Sequence, residues 1–137
     1  MDIPPADTPV VCDPSTAQDT AEERLAEYRR LFGAAMVARE RTPKGIRFVL
    51  RADDGIEAWV RDLAAREKAC CAFFAFDVST VDGQVRWDVA VIDDPAARAI
   101  LEEFYALPDT ATEDVTTLTE RYVRQGLRFT GAPSSLG

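Results

Sequence analysis

Two adjacent cysteines, Cys70 and Cys71, stand where a helical pattern gives way to an aromatic run, in Glu67-Lys68-Ala69-Cys70-Cys71-Ala72-Phe73-Phe74-Ala75-Phe76. The chain holds one other cysteine, Cys12, and no histidine. Thiolates suit soft or borderline ions, so the metals such a set would take are Hg(II), As(III), Cu(I), Cd(II) and Zn(II). Glu67 precedes Cys70 by three residues and Cys71 by four, so on a helix its side chain reaches both sulfurs. Without histidine, a zinc site would need all three cysteines plus a carboxylate or water. The expected metal ligands are therefore Cys12, Cys70 and Cys71, with Glu67 as a weak ligand or a neighbour of the sulfurs. No organic cofactor is indicated, because the glycines are scattered and form no phosphate-cradling loop.

Other uses of these residues have to be set beside this one. A helix C-terminus is the negative end of the dipole and disfavours a thiolate nucleophile. No histidine is present to act as base, and the Cys-x-x-Cys spacing of redox motifs is absent. Coordination escapes the objection, since the ion itself displaces the thiol proton. A vicinal Cys70–Cys71 disulfide would be strained, and would serve only as a redox switch. If the protein is an enzyme, two thiolates and Glu67 as acid are the equipment for protonolysis of a carbon–metal bond, a lyase reaction as in organomercurial cleavage. The plain alternative is packing: cysteine is among the most buried residue types, and a small-molecule pocket can contain such residues without using them. Glu67 would then pair with a nearby arginine or reach solvent.

The elements that must position these groups are legible as periodicities. Thr20 and Glu23 form a capping box, and Leu25, Tyr28, Phe32, Ala35 and Met36 follow at helical spacing until Pro43 ends the helix by about Arg41. Ile46, Phe48 and Leu50 alternate as a strand. From Ile56, the stripe of Trp59, Val60, Leu63 and Ala64 predicts a helix of about four turns ending at the paired cysteines. A strand over 72–80, the Asp82-Gly83 turn and a strand over 85–91 make a hairpin. Pro95 suits the first turn of a helix reaching about Leu107, and a last helix runs from Thr112 to Gln125, stopped by Gly126.

This order predicts an α+β fold. Its centre is a two-layer, ferredoxin-like βαββα core with a three-stranded sheet, to which an N-terminal and a C-terminal helix are added. The first and third strands are expected side by side and parallel. Residues 1–18 read as a flexible arm carrying Cys12, with the apolar Val10-Val11-Cys12 patch docking on the body. Residues 19–130 read as one domain, and 131–137 as a disordered tail.

Composition sets the limits. The 137 residues suffice for one domain with a real core. A net charge of −8 argues against nucleic acid or an anionic membrane surface as partner. No apolar run approaches the ~18 residues of a membrane span. The opening Met1-Asp2-Ile3-Pro4-Pro5 lacks the features of a signal peptide, so a cytoplasmic setting with reduced thiols is expected. The expected partner is a metal ion or small molecule, and an uncovered sheet edge would favour a homodimer.

Cys12 upstream of Leu25-Ala26-Glu27-Tyr28-Arg29, followed by Glu67-x-x-Cys70-Cys71-x-Phe73-Phe74-x-Phe76, resembles a group of small bacterial proteins with a Glu-x-x-Cys-Cys-Pro-Phe motif. Similar domains are appended to some MerR-type heavy-metal-responsive regulators. The resemblance covers roughly residues 10 to 107, and Ala72 stands where the motif has proline. It implies a connection to soft metals or metalloids such as mercury and arsenic, in sequestration, sensing or delivery. No DNA-binding helix-turn-helix is apparent, so the likeness is to the sensing or binding half.

Overall fold

The structure is a computed structural model and describes residues 1–13 and 19–129. Its elements in chain order are β1 (Val11–Cys12), α1 (Ala21–Ala35), β2 (Met36–Arg41), β3 (Gly45–Arg51), α2 (Ile56–Cys70), β4 (Phe74–Val81), β5 (Gln84–Val91), α3 (Pro95–Tyr105), α4 (Leu107–Thr110), α5 (Val115–Arg124) and β6 (Arg128–Phe129). The class is α+β, but the expected three-stranded ferredoxin-like core is replaced by a four-stranded antiparallel sheet of order β2-β3-β5-β4. A separate two-stranded parallel sheet joins β1 to β6.

The fourth strand comes from the end of the helix predicted to reach Arg41. The capping box forms as expected, with the Thr20 hydroxyl accepting from the Glu23 amide and the Glu23 carboxylate accepting from the Thr20 amide. The helix then stops at Ala35, and Met36 is already extended at φ −68° and ψ 129°. Two interactions invisible to helical periodicity outweigh continuation. The stretch pairs with β3 across the Thr42–Gly45 turn, and Arg39 and Arg41 lie over the Tyr105 ring while reaching Asp109 and Glu102. Pro43 thus sits at a hairpin tip and not at a helix end.

The first and third predicted strands, β3 and β5, are neighbours as expected, but they run antiparallel. The reason is the tight Asp82-Gly83 turn, where both residues take positive φ, 52° and 75°. It sends β5 back against β4, so β5 also opposes β3, and β3 and β4 lie parallel with β5 between them. Gly126, at φ 109°, follows α5 as the sequence suggests.

One sheet face presents Ile46, Phe48, Leu50, Val85, Trp87 and Val89, each no more than 1% exposed. Tyr28 from α1 stacks on Trp87, and Phe104 from α3 meets Trp87 edge-on, so the helices cover this face. The opposite face carries polar pairs such as Arg47 with Asp88. Among the described residues, no helix is long and apolar enough to cross a membrane.

Gly45 opens β3 where a Cβ would run into the Val89 carbonyl oxygen of β5. Gly45→Ala is therefore expected to destabilise the protein by about 1–3 kcal/mol, since a ladder backbone cannot yield as a side chain can. A urea midpoint unchanged from the parent would contradict this.

Candidate functional site

Helix α2 delivers two of the sulfurs. Its buried stripe of Ile56, Val60, Leu63 and Ala64 fixes the helix on the sheet, and the last turn closes with the Cys71 amide donating to the Glu67 carbonyl at 2.7 Å. Cys71 leaves the helix at φ −126°, ψ 85°, and the chain enters β4 past the fully buried Phe73. The third sulfur arrives from β1. Val11 and Cys12 pair with Arg128 and Phe129 of β6, and the Asp13 amide donates to the Cys70 carbonyl at 2.8 Å. The docking expected of the Val10-Val11-Cys12 patch thus has a specific form, a strand partner on one side and the α2 terminus on the other. The expectation of a disordered tail over 131–137 lies outside the described residues.

All three sulfurs lie within 4.8 Å of one another. They do not stand as three free thiols, however. Cys12 and Cys71 are joined by a disulfide with a Cα–Cα separation of 4.4 Å, and Cys70 is the free thiol beside it. The expected reduced trio is therefore corrected to a disulfide and one thiol. The bridge joins the arm to the helix end, where β1 pairing sets the approach, and avoids the strained vicinal arrangement. Cys12 and Cys71 are buried, and Cys70 is half-buried.

Burial pushes the Cys70 thiol up to about 11, and the Glu67 charge adds to the rise against smaller opposing effects of Arg24 and the Asp13 amide. Relative to an ordinary thiol, that is about 100-fold less thiolate at neutral pH, partly offset by the greater nucleophilicity of a more basic sulfur. In the oxidised protein, alkylation of Cys70 by iodoacetamide should run about tenfold slower than that of a free cysteine peptide at pH 7.5. It should keep rising with pH beyond 9. A plateau near pH 8 would contradict the burial.

Glu67 turns to an arginine, the plainer of its sequence-based outcomes. Arg24 Nη1 donates to Glu67 at 2.9 Å, while its Nε and Nη2 hold Asp19 at 2.5 and 2.7 Å. Arg66 extends the array by donating to Asp19 at 3.0 Å and to Glu27 at 2.9 and 2.7 Å, and Trp59 Nε1 also donates to Glu27. The network stitches α1 to α2 directly beside the sulfurs. Hydrogen bonds from Arg24 lower the Asp19 pKa against the opposing effect of burial, and Arg66 does the same for Glu27.

Asp19, Arg24 and Glu67 line a cavity of about 200 Å³ together with Cys12, Cys70 and Cys71. Most of its remaining wall is apolar, from Leu25, Phe74, Ile100, Phe104, Leu107, Leu118, Leu127 and Phe129. Tyr28 and Tyr122 are the phenols on the wall, and burial raises both pKa values, so each stays protonated at neutral pH. The buried Tyr28 hydroxyl makes no hydrogen bond of full geometry among the described residues, but the Glu67 carboxylate lies near enough to raise its pKa further by its charge and by a weaker side-chain hydrogen bond. Sequence reasoning took Tyr28 as core stripe and passed over Asp19 and Arg24. Their roles depend on contacts between separate helices, and no local spacing signals them.

No family model matches the chain, and no curated protein or solved structure is significantly similar to it.

Proposed function

We propose that the protein binds a thiophilic metal or metalloid ion, of the group Hg(II), As(III), Cu(I), Cd(II) and Zn(II), through Cys12, Cys70 and Cys71 after reduction of the Cys12–Cys71 disulfide. The observation that carries this reading is the convergence of three sulfurs from two distant chain segments within 4.8 Å. Sulfurs sharing one ion at ~2.3 Å stand about 4 Å apart, so after reduction the Cys12 and Cys71 sulfurs, bonded at about 2 Å in the bridge, must move apart by about 2 Å, while Cys70 needs to shift by about 1 Å or less. Uptake releases the thiol protons as the ion replaces them. Arg24, held beside the sulfurs by Glu67 and Asp19, offsets the negative charge that collects there. The metal-responsive setting implied by the Glu67-x-x-Cys70-Cys71 motif agrees with this role.

The disulfide itself favours a second reading, a structural clip fastening β1 to the end of α2. Titration of the anaerobically reduced protein with Cd(II), followed by thiolate-to-metal charge-transfer absorbance, separates the two. As an ion site, each of Cys12→Ser, Cys70→Ser and Cys71→Ser weakens binding at least about tenfold, because each removes a ligand. Equal affinity in Cys70→Ser and the parent would sink the three-sulfur site, since the clip alone has no use for that thiol.

A further inference from the structure

The sulfurs occupy one part of the wall of this cavity of about 200 Å³, and a bare ion wrapped by its own thiolates would leave the apolar part unused. Resting on the ion-binding reading, we infer that the ligand is an organoarsenic(III) species. Its arsenic bonds the cysteines, and its single apolar substituent, of about the size of an aromatic ring, lies against Leu25, Ile100, Phe104, Leu118 and Leu127. An apolar cavity of ~150 Å³ takes a benzene molecule, so the space is sufficient. Water gains little there, because it needs two to four polar partners and most of the wall offers none.

The chemistry balances without any change in the oxidation state of arsenic. A dithiol reductant first opens the Cys12–Cys71 bridge, becoming a disulfide itself as it supplies two electrons and two protons. An R–As(OH)₂ species then condenses with two of the three thiols. Two As–S bonds form, two As–O bonds break, and the thiol protons leave with the oxygens as two waters. The third cysteine stays a thiol, which distinguishes this ligand from bare As(III) with its three sulfur bonds.

The test uses full-length protein reduced with dithiothreitol and desalted anaerobically. It is offered phenylarsine oxide, methylarsonous acid or arsenite, with dithiothreitol as competitor. Native mass and free-thiol counts are expected to show one phenylarsenic per chain with one thiol left titratable. Phenyl should bind at least about tenfold tighter than methyl, from the additional apolar area a ring buries. Leu118→Phe and Ile100→Phe fill the cavity without touching the sulfurs. Each should abolish the phenyl preference while keeping methylarsenic uptake, which doubles as the check that the variant is folded. Equal affinity for phenyl and methyl in the parent would overturn this inference and leave ion binding intact. Failure of all three arsenicals to mask any thiol would overturn both.

Discussion

Replacing Cys12 and Cys71 together with serine is expected to lower the stability of the oxidised protein by about 4 kcal/mol. The bridge spans a sequence separation of 59, so it closes a large loop in the unfolded chain and removes much of that ensemble's freedom. It also ties a two-residue strand, β1, to the body, and so short a strand has few ladder bonds of its own. Urea unfolding of the parent with and without dithiothreitol gives the comparison. The reduced parent should fall to nearly the stability of the double variant. An added thiophilic ion should recover much of the loss in the reduced parent but not in the variant, because coordination closes the same loop and binds only the folded state. Unfolding midpoints that ignore reduction would show the bridge to be energetically idle.

The second large effect lies in the ion network beside the sulfurs. Arg24→Met is expected to cost about 3 kcal/mol, near the lower end for severing a buried ion pair. The side chains of Arg24, Glu67 and Asp19 are 12%, 14% and 17% exposed, so some water reaches the orphaned carboxylates and moderates the loss. Arg66 still serves Asp19, whereas Glu67 loses its only hydrogen-bonded arginine among the described residues. Glu67→Gln should cost less, because Arg24 keeps both bonds to Asp19. The pH dependence follows from the lowered pKa values of Asp19 and Glu27. A depressed carboxyl contributes stability above its unfolded pKa of ~4, and that contribution disappears as pH falls through the lower folded value. The parent should thus lose stability from about pH 5 downward, and Arg24→Met should show a shallower loss. Parallel pH profiles for the two would contradict the role given to Arg24.

What could be read from the sequence divides along physical lines. The stripe from Ile56 to Cys70 and the Asp82-Gly83 hairpin depend on near neighbours, and both were legible. Residues 36–41 were not, because their strand is made by β3 and by Tyr105, Asp109 and Glu102 far along the chain. Cys12, Cys70 and Cys71 were expected as one ligand set from residue type alone, by the affinity of thiolates for soft ions, but no periodicity in the arm says whether Cys12 reaches the pair. That Cys12 bonds Cys71 and leaves Cys70 free depends on the approach β6 imposes on β1, and nothing near residue 12 encodes it. The arginine cluster was hidden for the same reason. Arg24 and Arg66 each look like ordinary helix-surface charges until α1 and α2 are laid side by side.

The most direct measurement is a thiol count on anaerobically reduced protein before and after one equivalent of arsenite, with native mass recorded on the same sample. The account predicts three titratable thiols falling to none, together with a single arsenic adduct that persists through desalting. Three thiols still titratable and no retained arsenic would contradict it, and would leave Cys12 and Cys71 as a clip and Cys70 as part of the cavity wall.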